Sequence, residues 1–232
     1  MLIGGERVLG ILESYRLCWI GGRFGGGKTS LAFRLAQPFL ERGYRLLTNI
    51  RSVWADDPED IDFVDEFGHL RLVVVMDEGG LWLKRNAQVE AMAAYAAKMD
   101  VVYIISSYFA PASYFRVFKI KVLYGFRHIR IPLVFYRWSL RDVEGFADSG
   151  LLIWWNPAEV YGVYSRQDPA QDGNEIVEFM ARKVEEFRER YDRRRRHQRE
   201  LQEQGSLEEV VADFADVIAE FRDAATRIRR RR

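Results

Sequence analysis

Three groups of residues in this chain have the types and spacing to act on a phosphate ester. The first is Gly22-Arg23-Phe24-Gly25-Gly26-Gly27-Lys28-Thr29-Ser30, a Gly-x-x-x-x-Gly-Lys-Thr run. It follows the apolar stretch Leu17 to Ile20 and opens a helical pattern at Leu31, Leu35 and Phe39. In a strand–loop–helix setting, glycines let successive N–H groups turn inward on an anion, and the helix aims its positive end at the same point. The sequence predicts a cradle for ATP made of Gly22, Gly25, Gly26, Gly27, Lys28, Thr29 and Ser30. Lys28 would reach the β- and γ-phosphates, and Thr29 would hold Mg²⁺. A glycine-rich turn that merely joins a strand to a helix is the plainer alternative.

The other two groups stand at the ends of apolar runs. Leu72-Val73-Val74-Val75-Met76 shows no polar alternation, as expected of a strand buried on both faces of a parallel sheet, and it ends in Asp77-Glu78. At the carboxyl tip of such a strand, Asp77 is placed for the Mg²⁺ shell and Glu78 for orienting the attacking water. Four aliphatics followed by Asp-Glu also arise by chance in α/β proteins; the position about fifty residues after the glycine loop is what gives the run weight. Val101-Val102-Tyr103-Ile104-Ile105 ends in Ser106-Ser107. Ser106 is placed to sense the γ-phosphate, with Ser107 behind it; the alternative is that both serines simply begin the loop through Pro111.

The elements that must position these groups read as an α/β domain. The chain has 232 residues, 48% of them apolar, enough for one large core and an appendage. A helix over about 29–41 ends at Arg42-Gly43, a second strand covers 44–49, and a helix rich in alanine and methionine covers about 86–98. Gly150 to Pro157 and Tyr161 to Ser165 read as strands completing a mixed sheet. The expected fold is therefore a mostly parallel central sheet flanked by helices over 1–167, a linker rich in Pro, Gly, Gln and Asp over 168–174, and a charged helical tail over 175–232.

Composition excludes several classes. Cys18 is the only cysteine, so there is no disulfide framework and no thiolate metal site, and its place in the first strand makes it a core residue. The start, Met1 to Arg7, lacks the apolar run of a signal peptide. The longest uncharged stretch, Val101 to Phe115, is too short and too interrupted by serines and Pro111 to span a bilayer. A soluble, cytoplasmic chain is expected. The acidic segment Asp56 to Glu66 lacks the fixed geometry of a metal site and reads as a solvated or partner-facing loop.

Net charge is only +1, but its distribution is uneven. From Val101 to Arg141 there is no Asp or Glu, while Arg116, Lys119, Lys121, Arg127, His128, Arg130, Arg137 and Arg141 alternate with aromatic residues over 114–141. Such a stripe suits DNA, whose phosphates the cations neutralise and whose bases the rings can stack upon. Half-buried strands with aromatics inward and cations outward would give the same pattern. In the tail, one helix over about 175–203 puts Ile176, Met180, Val184, Phe187 and Tyr191 on one face before Arg193 to Arg196. After Gly205, a capping box at Ser206 and Glu209 opens a second, with Leu207, Val210, Phe214, Val217, Phe221, Ala224 and Ile228 at heptad spacing before Arg229 to Arg232. An oligomerisation module and an arm folded back on the core both fit.

The glycine loop, the strand ending in Thr48-Asn49-Ile50, the Asp77-Glu78 strand and Val160-Tyr161-Gly162-Val163-Tyr164-Ser165 together resemble the zonula occludens toxin-like ATPases. These phage morphogenesis proteins lie within the FtsK–HerA group of P-loop ATPases, beside DNA translocases and genome-packaging ATPases. The resemblance covers roughly residues 14–166. It implies a homo-oligomeric ring, a hexamer, in which an arginine of one subunit completes the ATP site of the next; Arg116 is the first choice, with Arg85 and Arg127 behind it. The chain departs from the group at Ser106, where Gln or Asn is common, and in its charged tail, which replaces a membrane-spanning segment.

Two functions follow as expectations: an ATP-driven motor that moves DNA for a phage or mobile element, or a nucleotide-dependent phage assembly factor that does not grip DNA. A GTPase would need Asn-Lys-x-Asp after a strand; the nearest match, Ala97-Lys98-Met99-Asp100, precedes its strand and lacks the Asn. A small-molecule kinase must exclude water, which conflicts with Glu78 placed to orient it.

Overall fold

The computed structural model describes residues 2–23, 25–125, 133–141, 145–155, 157–165 and 170–199. Strands β2 (Leu17–Gly21), β4 (Leu72–Asp77) and β5 (Val101–Ser107) are apolar at almost every position because both of their faces are covered. They sit in one eight-stranded, mostly parallel sheet with β1 (Leu2–Ile3), β3 (Arg45–Thr48), β6 (Phe118–Gly125), β7 (Leu133–Arg141) and β8 (Ala147–Trp155), in the order β1-β8-β7-β6-β2-β5-β4-β3. From β3 through β6 the neighbours are parallel; the β6–β7, β7–β8 and β8–β1 pairs are antiparallel.

The described residues contain four helices: α1 (Gly5–Tyr15), α2 (Lys28–Leu40), α3 (Ala87–Tyr95) and α4 (residues 174–199). On one face α1 and α2 bring Leu12, Leu31, Leu35 and Phe39 onto Ile20, Val73, Val75 and Ile104. On the other, α3 and the first turns of α4 bring Val89, Met92, Ile176 and Met180 onto Val74, Met76, Tyr103 and Ile105. Consecutive residues of β4 thus serve opposite cores, which removes any reason for polar alternation. Where only one face is covered, alternation returns. In β7 Tyr136, Trp138 and Leu140 are buried while Arg137 and Arg141 are exposed, the half-buried pattern weighed for this stretch.

The structure departs from the sequence reading in two places. Residues 161–165 are not a strand: a 3-10 turn at Pro157–Val160 leads into a turn whose ladder contact among the described residues is the isolated bridge between Ser52 and Tyr164. Pro157 and Gly162 supply the turn chemistry, and the backbone is satisfied by the loop after β3, with Val53 N–H on the Val163 carbonyl and Ser165 N–H on the Arg51 carbonyl. Strand β1 and helix α1 have no counterpart in the sequence reading. The acidic segment is held by local bonds. Asp56 accepts from Leu46 N–H, Asp57 caps a 3-10 turn at Pro58–Asp60, and Asp65 bonds His69.

The chain divides into two compact units, Met1–Phe187 and Arg188–Arg232. In the first, Ile176, Met180, Val184 and Phe187 of α4 are core residues. In the second, residues 188–199 are helical and mostly exposed, Arg193, Arg195 and Arg196 among them. Arg127, His128, Arg130, the capping box at Ser206 and Glu209, the heptads over 207–228 and Arg229 to Arg232 lie outside the described residues. No helix among the described residues is long and apolar enough to cross a membrane.

Candidate functional site

Strand β2 lies between β5 and β6, and β4 flanks β5, so the carboxyl ends of β2, β5 and β4 stand side by side. The chain leaves β2 toward β3 at one edge of the sheet and leaves β5 toward β6 on the other side of β2. Connections that part in this way open a crevice at the strand ends, the usual ligand position in an open α/β sheet. Loop 22–27, Asp77-Glu78 and Ser106-Ser107 all begin there.

The loop makes a tight passage from β2 into α2. Gly27, the residue before the helix, has φ +80°, a conformation in which a side chain is strained. Gly26 runs close to β6: a Cβ there would come 3.0 Å from Val122 Cγ1. With Gly22 and Gly25 they form the turn the spacing predicted. The N-cap residue of α2 is Gly27, which has no side chain to cap the helix start. Lys28 is 5% exposed, and its Nζ donates to the Arg23 carbonyl at 3.2 Å.

Opposite the loop, Thr29 Oγ1 donates to Asp77 Oδ1 at 3.0 Å, and buried Ser106 donates its hydroxyl to the same oxygen. The structure therefore brings Thr29, Asp77 and Ser106 together, with Ser106 acting on the carboxylate. Ser107 belongs to the other side of β5, where Trp19 Nε1 donates to its Oγ at 3.1 Å. One carboxylate and one hydroxyl suit Mg²⁺, an ion that keeps most of its shell for phosphate oxygen and water. Among the described residues no three His, Cys, Asp or Glu side chains converge on a metal-sized space.

Glu78 has φ +51°, uncommon for a residue with a side chain, in a turn closed by Leu81 N–H on the Glu78 carbonyl at 2.9 Å. Its Oε2 accepts the Tyr108 N–H at 3.4 Å, beside the loop after β5; among the described residues no hydrogen bond joins it to 22–29. Arg116 ends a 3-10 turn at Ser113–Arg116, and its buried Nε has no hydrogen-bond partner among the described residues. Among the described residues no bond joins it to Asp77 or to the glycine loop. Its charge is felt on β6: burial first, then Arg116, Lys121 and Arg141, hold the Lys119 ammonium below its ordinary pKa.

Two residues at this crevice escaped the sequence reading as site residues. Asn49, 2% exposed, accepts Asp77 N–H at its Oδ1 (2.8 Å) and donates from Nδ2 to the Asp77 carbonyl (3.0 Å). The Ser30 hydroxyl is 2.7 Å from the Tyr164 hydroxyl, and the Tyr164 ring stacks on Phe33 at 4.8 Å. In the sequence their signal is the resemblance carried by Thr48-Asn49-Ile50 and Val160 to Ser165. Tyr164→Phe leaves the Ser30 hydroxyl without this partner. It should cost about 1 kcal/mol of stability and lower Tm by about 2–4 °C, measured by calorimetry; an unchanged Tm contradicts a holding role for this bond.

Fold and crevice define an α/β protein with a glycine-rich strand-to-helix turn and a hydroxyl–carboxylate pair beside it. The sequence matches no known family model and no curated protein.

Proposed function

We propose that this chain is a Mg²⁺-dependent ATPase of the P-loop kind. The observation that carries the reading is the 3.0 Å hydrogen bond from Thr29 to Asp77, which joins the two expected metal-holding groups, far apart in sequence, beside the glycine turn. The amides of 22–27 and Lys28 take the β- and γ-phosphates, Lys28 exchanging the Arg23 carbonyl for phosphate oxygen. Thr29 and Asp77 hold Mg²⁺, which when bound neutralises charge on the phosphates. Ser106 fixes the Asp77 carboxylate, and Glu78 turns from Tyr108 to orient the attacking water.

The finer reading is a DNA motor of the zonula occludens toxin-like, FtsK–HerA type, cytoplasmic, assembled as a hexameric ring with Arg116 completing the neighbouring site. Its support is the cation group of Arg116, Lys121 and Arg141 around Lys119, whose mutual repulsion a polyanion relieves. Steady-state ATP hydrolysis with and without duplex DNA tests both levels. DNA-stimulated turnover that fades as salt rises is expected. Turnover indifferent to DNA selects the phage assembly factor instead, and no hydrolysis under either condition removes the ATPase reading.

A further inference from the structure

Asn49 does more than hold Asp77. The paired register of β3 and β4 ends at Thr48 and Val75, and the Asn49 amide supplies a side-chain rung beyond it, bonded to both the N–H and the carbonyl of Asp77. The same Nδ2 donates to the Gln171 carbonyl at 3.2 Å, and the Asn49 carbonyl accepts Gln171 N–H at 2.7 Å. One buried amide thus ties the backbone of Asp77 to residue 171. Two residues further on, Gly173 lies against Trp82: a Cβ at 173 would come 2.4 Å from Trp82 Cδ1. Trp82 belongs to the turn begun by Glu78, with its N–H on the Gly79 carbonyl at 3.2 Å. Asp77 is thus linked to residue 171 through Asn49, the turn begun by Glu78 meets residue 173 through Trp82, and α4 starts at 174 with Val177 N–H on the Gly173 carbonyl.

We infer that Asn49 and the Trp82–Gly173 contact couple nucleotide occupancy at Asp77 and Glu78 to the seating of the first turns of α4; this rests on the ATPase reading above. Asp77 cannot shift along its strand axis without disturbing the Asn49 amide, whose remaining bonds hold Gln171. The Glu78 turn cannot move without Trp82, against which a Cβ at 173 would have to push. The turn also has the marks of a segment with a second arrangement. Glu78 is held at positive φ, and the buried Trp82 Nε1 has no hydrogen-bond partner among the described residues. Coupling of this kind is reciprocal, so whatever holds residues 171–180 also alters nucleotide affinity, by roughly 5–150-fold for typical coupled sites. Asn49 is a positioning residue in this scheme; it does not touch the phosphates.

Hydrogen exchange read by mass spectrometry on the full chain tests this, using wild type, Asn49→Ala and Gly173→Ala, each with and without Mg²⁺ and a non-hydrolysable ATP analogue. In wild type the analogue should change protection of amides 171–180 by about fivefold or more. Gly173→Ala should still bind the analogue and keep protection in 72–77 and 101–107, yet lose the response at 171–180, and Asn49→Ala should lose the same response. Gly173→Ala removes no hydrogen bond, so it carries the test even where Asn49→Ala unfolds. Wild type that binds the analogue with no response at 171–180, or variants that respond as wild type does, overturns the coupling. Absence of analogue binding by wild type is a separate result: it overturns the ATPase reading, and the coupling with it.

Discussion

Glu78→Gln should bind MgATP about as tightly as wild type and hydrolyse it roughly 10²–10⁴-fold more slowly, the range for removal of a group that manages the proton of the attacking water. The amide keeps the size of the carboxylate and can hold the same turn, so the loss appears in kcat and leaves binding in place. Neither the hydrogen bond from Thr29 to Asp77 nor the Asn49 rung involves the Glu78 side chain, so the crevice keeps its form. Binding by calorimetry together with phosphate release gives both numbers. Equal turnover in the two proteins would remove Glu78 from the chemistry and leave its positive φ without a functional reason.

Lys28→Met should lower kcat/KM roughly 10²–10³-fold, the usual cost of losing one preorganised cation or donor on a developing charge. Methionine keeps the unbranched stem in its buried place while deleting the ammonium, so packing around the first turn of α2 is retained. The Arg23 carbonyl loses the 3.2 Å bond it accepts from Nζ, a small structural change beside the loss of a phosphate partner. Turnover and Tm measured together separate the two effects. A large fall in turnover with Tm within a few degrees is expected; unchanged turnover contradicts a phosphate-binding role for Lys28.

Most of the crevice was legible because its chemistry lies in contiguous runs at strand ends. The buried strands declare themselves by unbroken apolar residues, and parallel pairing of β4 and β5, and of β5 and β2, then sets their carboxyl tips together. Thr29 and Asp77 meet for that reason. Ser106 was legible as a hydroxyl at the end of its strand, and the structure bonds that hydroxyl to Asp77. Asn49 was not, because a side-chain amide bonded to backbone leaves no periodic trace and its second partner, Gln171, is far along the chain. Helix α1 was missed because Gly5 and Gly10 break an otherwise regular pattern, and 161–165 because Tyr161, Val163 and Tyr164 are residue types favoured in strands. For Arg116 the sequence offered charge alone, which says nothing of where a guanidinium points.

Calorimetric titration of wild type and Asp77→Asn with ATP, in Mg²⁺ and in EDTA, puts the hydroxyl–carboxylate pair itself on trial. Wild type should bind MgATP with Kd within about 1 μM–1 mM, the range of working nucleotide sites. Removal of Mg²⁺ should weaken it by about tenfold or more, which is about 1.4 kcal/mol, and Asp77→Asn should lose that metal dependence. No binding at millimolar ATP, or binding equally tight in EDTA and in Asp77→Asn, contradicts a Mg²⁺–nucleotide site between Thr29 and Asp77.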